Sequence, residues 1–113
     1  MGKKWIAVDL DGTLAKYQGA MDNAIGEPVL PMLQRVKDWI AAGEDVRLFT
    51  ARAGDAAQLP YLQNWLNQQG LQQMKITNVK DFDMKVLYDD KAIRVERNKG
   101  YICGGCYRMR SGK

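Results

Sequence analysis

An α/β fold built on a mainly parallel sheet is what this chain of 113 residues predicts. Short, largely apolar runs at 5–8, 46–49 (with Arg47 inside it) and 86–88 each stop at a polar side chain, Asp9, Thr50 and Asp89. Such runs, bounded by turn signals, read as strands buried on both faces of a parallel sheet. Stretches of helical period separate the first two runs and follow the second. In an open α/β sheet the carboxyl ends of the strands share one edge, where ligands bind.

In chain order, Trp-Ile-Ala-Val at 5–8 is the first strand, ending in Asp9-Leu10-Asp11-Gly12-Thr13. Residues 14–27 are irregular, with Gly19 and Gly26 marking a loop that carries Tyr17. A helix is predicted over 28–42, where Val29, Leu33, Val36 and Ile40 fall on one stripe. Pro28 and Pro31 belong to its first turn and Gly43 ends it. The second strand covers 45–50. A second helix covers 55–69, with Leu59, Leu62, Trp65 and Leu66 facing the core; Asp55 is a candidate N-cap, although Pro60 suits a start near Leu59 equally. Strand character returns at 74–79 and 86–88, and the 81–85 link is too short for a crossover helix. Alternation over 92–96 predicts a fifth, edge strand, and Asn98-Lys99-Gly100 turns into a tail.

The length suits one domain with a single core. We divide it into a domain over 1–97 and a basic tail over 98–113. No apolar stretch reaches membrane-spanning length, and Asp9 interrupts the run after Lys3-Lys4, so neither a membrane span nor a signal peptide is expected, and the expected location is the cytoplasm. The net charge of +4 is uneven: residues 91–113 hold seven Lys or Arg against one Glu. A basic segment with Tyr101 and Tyr107 suits either simple solubility or contact with a nucleic-acid backbone.

Asp9 and Asp11 stand two apart and lean to the same side if the backbone stays extended. Gly12 permits a sharp turn, and Thr13 brings a hydroxyl and an N–H. Paired carboxylates suit a hard cation, or a nucleophile working with a general acid/base. An EF-hand is excluded, because with Gly12 as its glycine the first ligand position would fall on Ala7. Later polar groups follow in order: Thr50 with Ala51 and Arg52, Lys80, then Asp89 and Asp90. Acid, hydroxyl, lysine and acid on one edge are the components of a phosphoryl-transfer site.

The segments WIAVDLDGT, VRLFTAR, ITNVKDF and VLYDDKA resemble the four motifs of the haloacid dehalogenase (HAD) superfamily, over most of residues 4–97. The resemblance implies a Rossmann-like three-layer fold without a cap domain, and a Mg²⁺-dependent phosphatase, a phosphoric monoester hydrolase. It makes Asp9 the nucleophile that forms an aspartyl-phosphate and Asp11 the general acid/base. It gives the metal to Asp9, Asp11 through its backbone carbonyl, and Asp89, with Asp90 behind them. It gives the phosphoryl group to Asp9, Gly12, Thr13, Thr50, Ala51 and Lys80. Lys80 is chosen over Lys85, which opens the fourth strand and so lies far from its acidic end. Arg52 is read as a salt-bridge residue in preference to a phosphate clamp, and Tyr17 as a leaving-group contact.

The expected substrate is phosphorylated, a small molecule or a nucleic-acid end. The competing function is a non-catalytic HAD-like module whose basic tail binds nucleic acid. Cys103 and Cys106 form half of a tetrahedral zinc site in a chain without histidine, so zinc would require two chains, a homodimer; inert reduced thiols are the favoured reading.

Overall fold

The structure is a computed structural model that describes residues 3–17 and 24–106. Its centre is a four-stranded, all-parallel sheet: β1 (Trp5–Val8), β2 (Asp45–Phe49), β3 (Lys75–Thr77) and β4 (Met84–Tyr88), in the spatial order β3-β2-β1-β4. All four residues of β1 are buried, because β1 has a strand on each side and a covered surface above and below. Helix α1 (Leu30–Ala41) joins β1 to β2, and α2 (Leu59–Gln68) joins β2 to β3.

Both helices lie on one face of the sheet. Successive right-handed crossovers that step in the same direction require this. Leu33 and Val36 of α1 and Leu62, Trp65 and Leu66 of α2 share one core with Ile6, Val8, Val46 and Leu48. The opposite face has a thinner cover. There the Arg47 guanidinium lies 4.6 Å from the Trp5 ring, and Trp5 Nε1 donates to Asp81 Oδ1 at 2.8 Å. Asp81 belongs to the link between β3 and β4, so the third layer of this α/β, Rossmann-like fold includes a loop where a helix would be thicker. The fold has no cap domain among the described residues.

Helix α1 begins two residues later than the sequence suggests, after Pro28 bridges Ala15, and Gly43 ends it at φ 90°. Of the two starts open for the second helix, the structure has the later: Asp55 caps a short 3₁₀ turn through Ala57 N–H, and α2 starts at Leu59. The expected fifth strand is absent from the sheet. Val95 instead pairs antiparallel with Ile102, Glu96 N–H bonds Tyr101 O, and Cys103 N–H bonds Arg94 O. Alternation over 92–96 thus marks one arm of a small hairpin, turned by Asn98 and Gly100 at φ 65° and 77°. That hairpin crosses the boundary drawn at residue 97. Tyr107, the chain end and the loop segment 18–23 lie outside the described residues.

Candidate active site

Parallel pairing fixes the edge on which the acids sit. Val8 pairs with both Leu48 and Tyr88, so the residues that follow, Asp9, Phe49 then Thr50, and Asp89, leave the sheet together. A cleft of about 380 Å³ opens there, lined by Asp9, Asp11, Tyr17, Phe49, Thr50, Ala51, Asp89 and Lys91. Five of these were expected site residues: Asp9, Asp11, Thr50, Ala51 and Asp89. Tyr17, the expected leaving-group contact, joins them.

One side of the cleft is a carboxylate trio. Asp9, Asp89 and Asp90 each bring an oxygen within 4.8 Å of the others. Burial, then the charge of Asp89, then a hydrogen bond with Asp90 push the Asp9 carboxyl up to about 7 from its ordinary 3.8. Thr13 links two of the three: its Oγ1 lies 3.4 Å from Asp9 Oδ2 and 3.2 Å from Asp90 Oδ1, and accepts the Asp90 N–H at 3.0 Å. Gly12, at φ 89°, is required twice over. A Cβ there would meet Asp90 Oδ2 at 2.6 Å, on a backbone that L side chains avoid.

The other side is a neutralised pair. Arg52 Nε and Nη2 each donate to Asp11 at 2.8 Å, and Nη2 also bonds Ala24 O at 2.9 Å. The ion pair expected of Arg52 is present. The turn that carries it is fixed independently of its side chain, because Thr50 Oγ1 caps the turn by accepting Arg52 N–H at 3.2 Å. Thr50 itself is 3% exposed.

Several expectations need correcting. Asp90, expected behind the metal ligands, brings an oxygen within 4.8 Å of Asp9 and Asp89; the Asp11 carboxylate, the expected general acid/base, pairs with Arg52, and the metal contact expected of Asp11 is its backbone carbonyl. Gly12 and Thr13 offer no free backbone donors to a phosphate. Their N–H groups bond Ala15 O at 2.8 Å and Leu10 O at 3.1 Å inside a tight turn, and the Thr13 hydroxyl serves the trio. Lys80 is exposed on the β3–β4 link and does not line the cleft; the lysine that does is Lys91. Sequence reading missed Lys91, although its place directly after Asp89-Asp90 on the ligand edge was a usable signal. Lys85 pairs with Glu44 at 2.9 Å, at the opposite end of the sheet, as its position on β4 required.

Cys103 and Cys106 are both free thiols. Cys106 N–H donates to Cys103 Sγ at 3.4 Å and holds the Cys103 thiol below its ordinary pKa. Among the described residues they join no cluster of three or more metal-ligating side chains.

No family model matches the chain, and no curated protein does. Among solved structures it is similar to one described as that of a conserved protein coded by a locus from Bacteroides thetaiotaomicron. The TM-score is 0.64 at 18% identity, over 99% of this chain and 93% of that one. The likeness is one of fold. No described helix is long and apolar enough to cross a membrane.

Proposed function

We propose that this chain is a Mg²⁺-dependent phosphomonoester hydrolase of the HAD type, working through an aspartyl-phosphate on Asp9. The observation that carries the reading is the convergence of Asp9, Asp89 and Asp90 within 4.8 Å, on the same edge as buried Thr50. Three carboxylates at that spacing repel one another unless a proton or a cation intervenes, and the raised Asp9 records the strain. An all-oxygen donor set suits a hard dication, so Asp9, Asp89 and Asp90 fit Mg²⁺. When bound, the ion would neutralise the cluster and polarise a phosphoryl oxygen.

The residues then divide the work. Asp9 attacks phosphorus as the bond to the leaving oxygen breaks, and Asp11 across the cleft supplies the proton that oxygen takes. Water, losing its proton to Asp11, then attacks the aspartyl-phosphate, releasing phosphate and restoring Asp9. Thr50, whose oxygen already accepts the Arg52 N–H, turns its hydroxyl hydrogen toward the phosphoryl group. Lys91 supplies the positive charge lining the cleft, in the place that the sequence assigned to Lys80. A cleft without a cap suits a phosphate carried on a large molecule as well as a small one, and nucleic-acid ends belong in the substrate screen.

The test is hydrolysis of p-nitrophenyl phosphate with and without Mg²⁺. The reading requires chelation to abolish turnover and Asp9→Asn to lower kcat by about a thousandfold or more. Turnover that persists in Asp9→Asn would overturn it.

A further inference from the structure

Arg52 has more binding capacity than its fold role uses. Its side chain is 11% exposed, and its partner Asp11, which lines the cleft, is 25% exposed. Of its five N–H donors, Nε–H and one on Nη2 go to Asp11 and the other on Nη2 goes to Ala24 O. The two on Nη1 have no hydrogen bond to a described residue. A purely structural arginine this far inside would be expected to use its donors on protein acceptors. The 3₁₀ turn at Ala51–Gly54 is held by Thr50 through the backbone and does not need the guanidinium.

Side-on pairing through Nε and Nη2 is also how a guanidinium grips two oxygens of a phosphoryl group. We propose that Arg52 is the phosphoryl-binding clamp of this site, and that Asp11 and the Ala24 carbonyl occupy its donors as stand-ins until a phosphate arrives. The clamp rests on the phosphatase reading above and adds a mode of control to it. An incoming phosphate takes the guanidinium from two internal acceptors, one on the loop after β1 and one at residue 24. Substrate binding thereby frees the Asp11 carboxylate for the leaving-group side of the cleft and releases the 24 carbonyl in the same event. Because a carboxylate competes for the clamp, phosphate affinity is held down in the resting protein.

The test is calorimetric binding of inorganic phosphate to the full chain in saturating Mg²⁺, with melting curves alongside and p-nitrophenyl phosphate turnover of the wild type as reference. Arg52→Gln is expected to weaken phosphate binding about tenfold or more, since a charge-assisted bidentate contact is lost. Arg52→Lys is expected to fall between it and the wild type, because an ammonium lacks the planar fork. Asp11→Asn is expected to tighten phosphate binding several-fold by removing the competing charge. Wild-type affinity in Arg52→Gln, or weakened or unchanged affinity in Asp11→Asn, would overturn the clamp and leave Arg52 a strut. Should Arg52→Gln fail to fold, Asp11→Asn decides alone, because it keeps the arginine. A wild type that turns over substrate while failing these variants loses only the clamp; one that neither binds phosphate nor hydrolyses any ester loses the phosphatase reading with it.

Discussion

The two walls of the cleft treat the same chemical group in opposite ways. On one, Asp9, Asp89 and Asp90 crowd within 4.8 Å, with Thr13 bridging Asp9 and Asp90. On the other, Asp11 is matched by Arg52 through two 2.8 Å contacts. The first wall gathers three carboxylates, and the second pairs one carboxylate with one guanidinium. The difference separates groups two residues apart in sequence: Asp9 stands with Asp89 and Asp90, and Asp11 pairs with Arg52. The proposed phosphatase, which would take both a cation and a phosphate, would use this asymmetry: carboxylates for the ion on one side, and on the other a guanidinium held by Asp11.

The largest effect expected from breaking the comparison is on turnover. Asp9→Asn removes the proposed nucleophile, whereas Lys85→Ala, in the pair with Glu44 at the far end of the sheet, leaves kcat unchanged and shifts stability by no more than about 1 kcal/mol. Lys91→Ala is expected to lower kcat/KM more than Lys80→Ala, since only Lys91 lines the cleft; equal losses in parallel assays would restore Lys80 to the site.

Next in size is Gly12→Ala. The left-handed backbone alone costs about 1–2 kcal/mol, and the 2.6 Å approach to Asp90 Oδ2 forces that carboxylate out of the trio. A lowered Tm together with weakened Mg²⁺ binding is expected; a lowered Tm with unchanged Mg²⁺ affinity would remove Asp90 from the cluster.

The pH dependence is smaller but distinctive. Asp9 is pushed up to about 7 in the fold against an ordinary 3.8, so the folded state binds the extra proton between those values. Stability without divalent ions therefore falls as pH rises from about 4 through about 7, the reverse of an ion-paired carboxylate. Adding Mg²⁺ should recover the loss, most strongly above pH 7. Denaturation midpoints across that range, with and without the ion, check the sign; a stability that rises with pH in the absence of the ion contradicts it.

Much of this was legible from sequence because it depends on local pattern. Four residues of unbroken apolarity before Asp9 mark a central strand whatever the rest of the chain does, and the order of Asp9, Thr50 and Asp89 follows from parallel strands sharing an edge. Other features depend on contacts that sequence spacing hides. The Arg52–Asp11 pair joins residues 41 apart. That Asp90 joins Asp9 and Asp89 turns on how the backbone bends after β4, where Thr13 takes hold of Asp90 from a distant loop. Gly12 and Thr13 look like phosphate donors until the tight turn is seen to use their N–H groups. Alternation at 92–96 is common to an edge strand and to the hairpin that Asn98 and Gly100 create.

The contrast between the two walls is tested most directly by Mg²⁺ titration of four variants in one buffer. The account expects Asp9→Asn, Asp89→Asn and Asp90→Asn each to weaken the ion about tenfold or more, and Asp11→Asn to leave its affinity unchanged. If Asp11→Asn weakens Mg²⁺ as much as Asp89→Asn does while Asp90→Asn has no effect, the carboxylate trio is not the cation site.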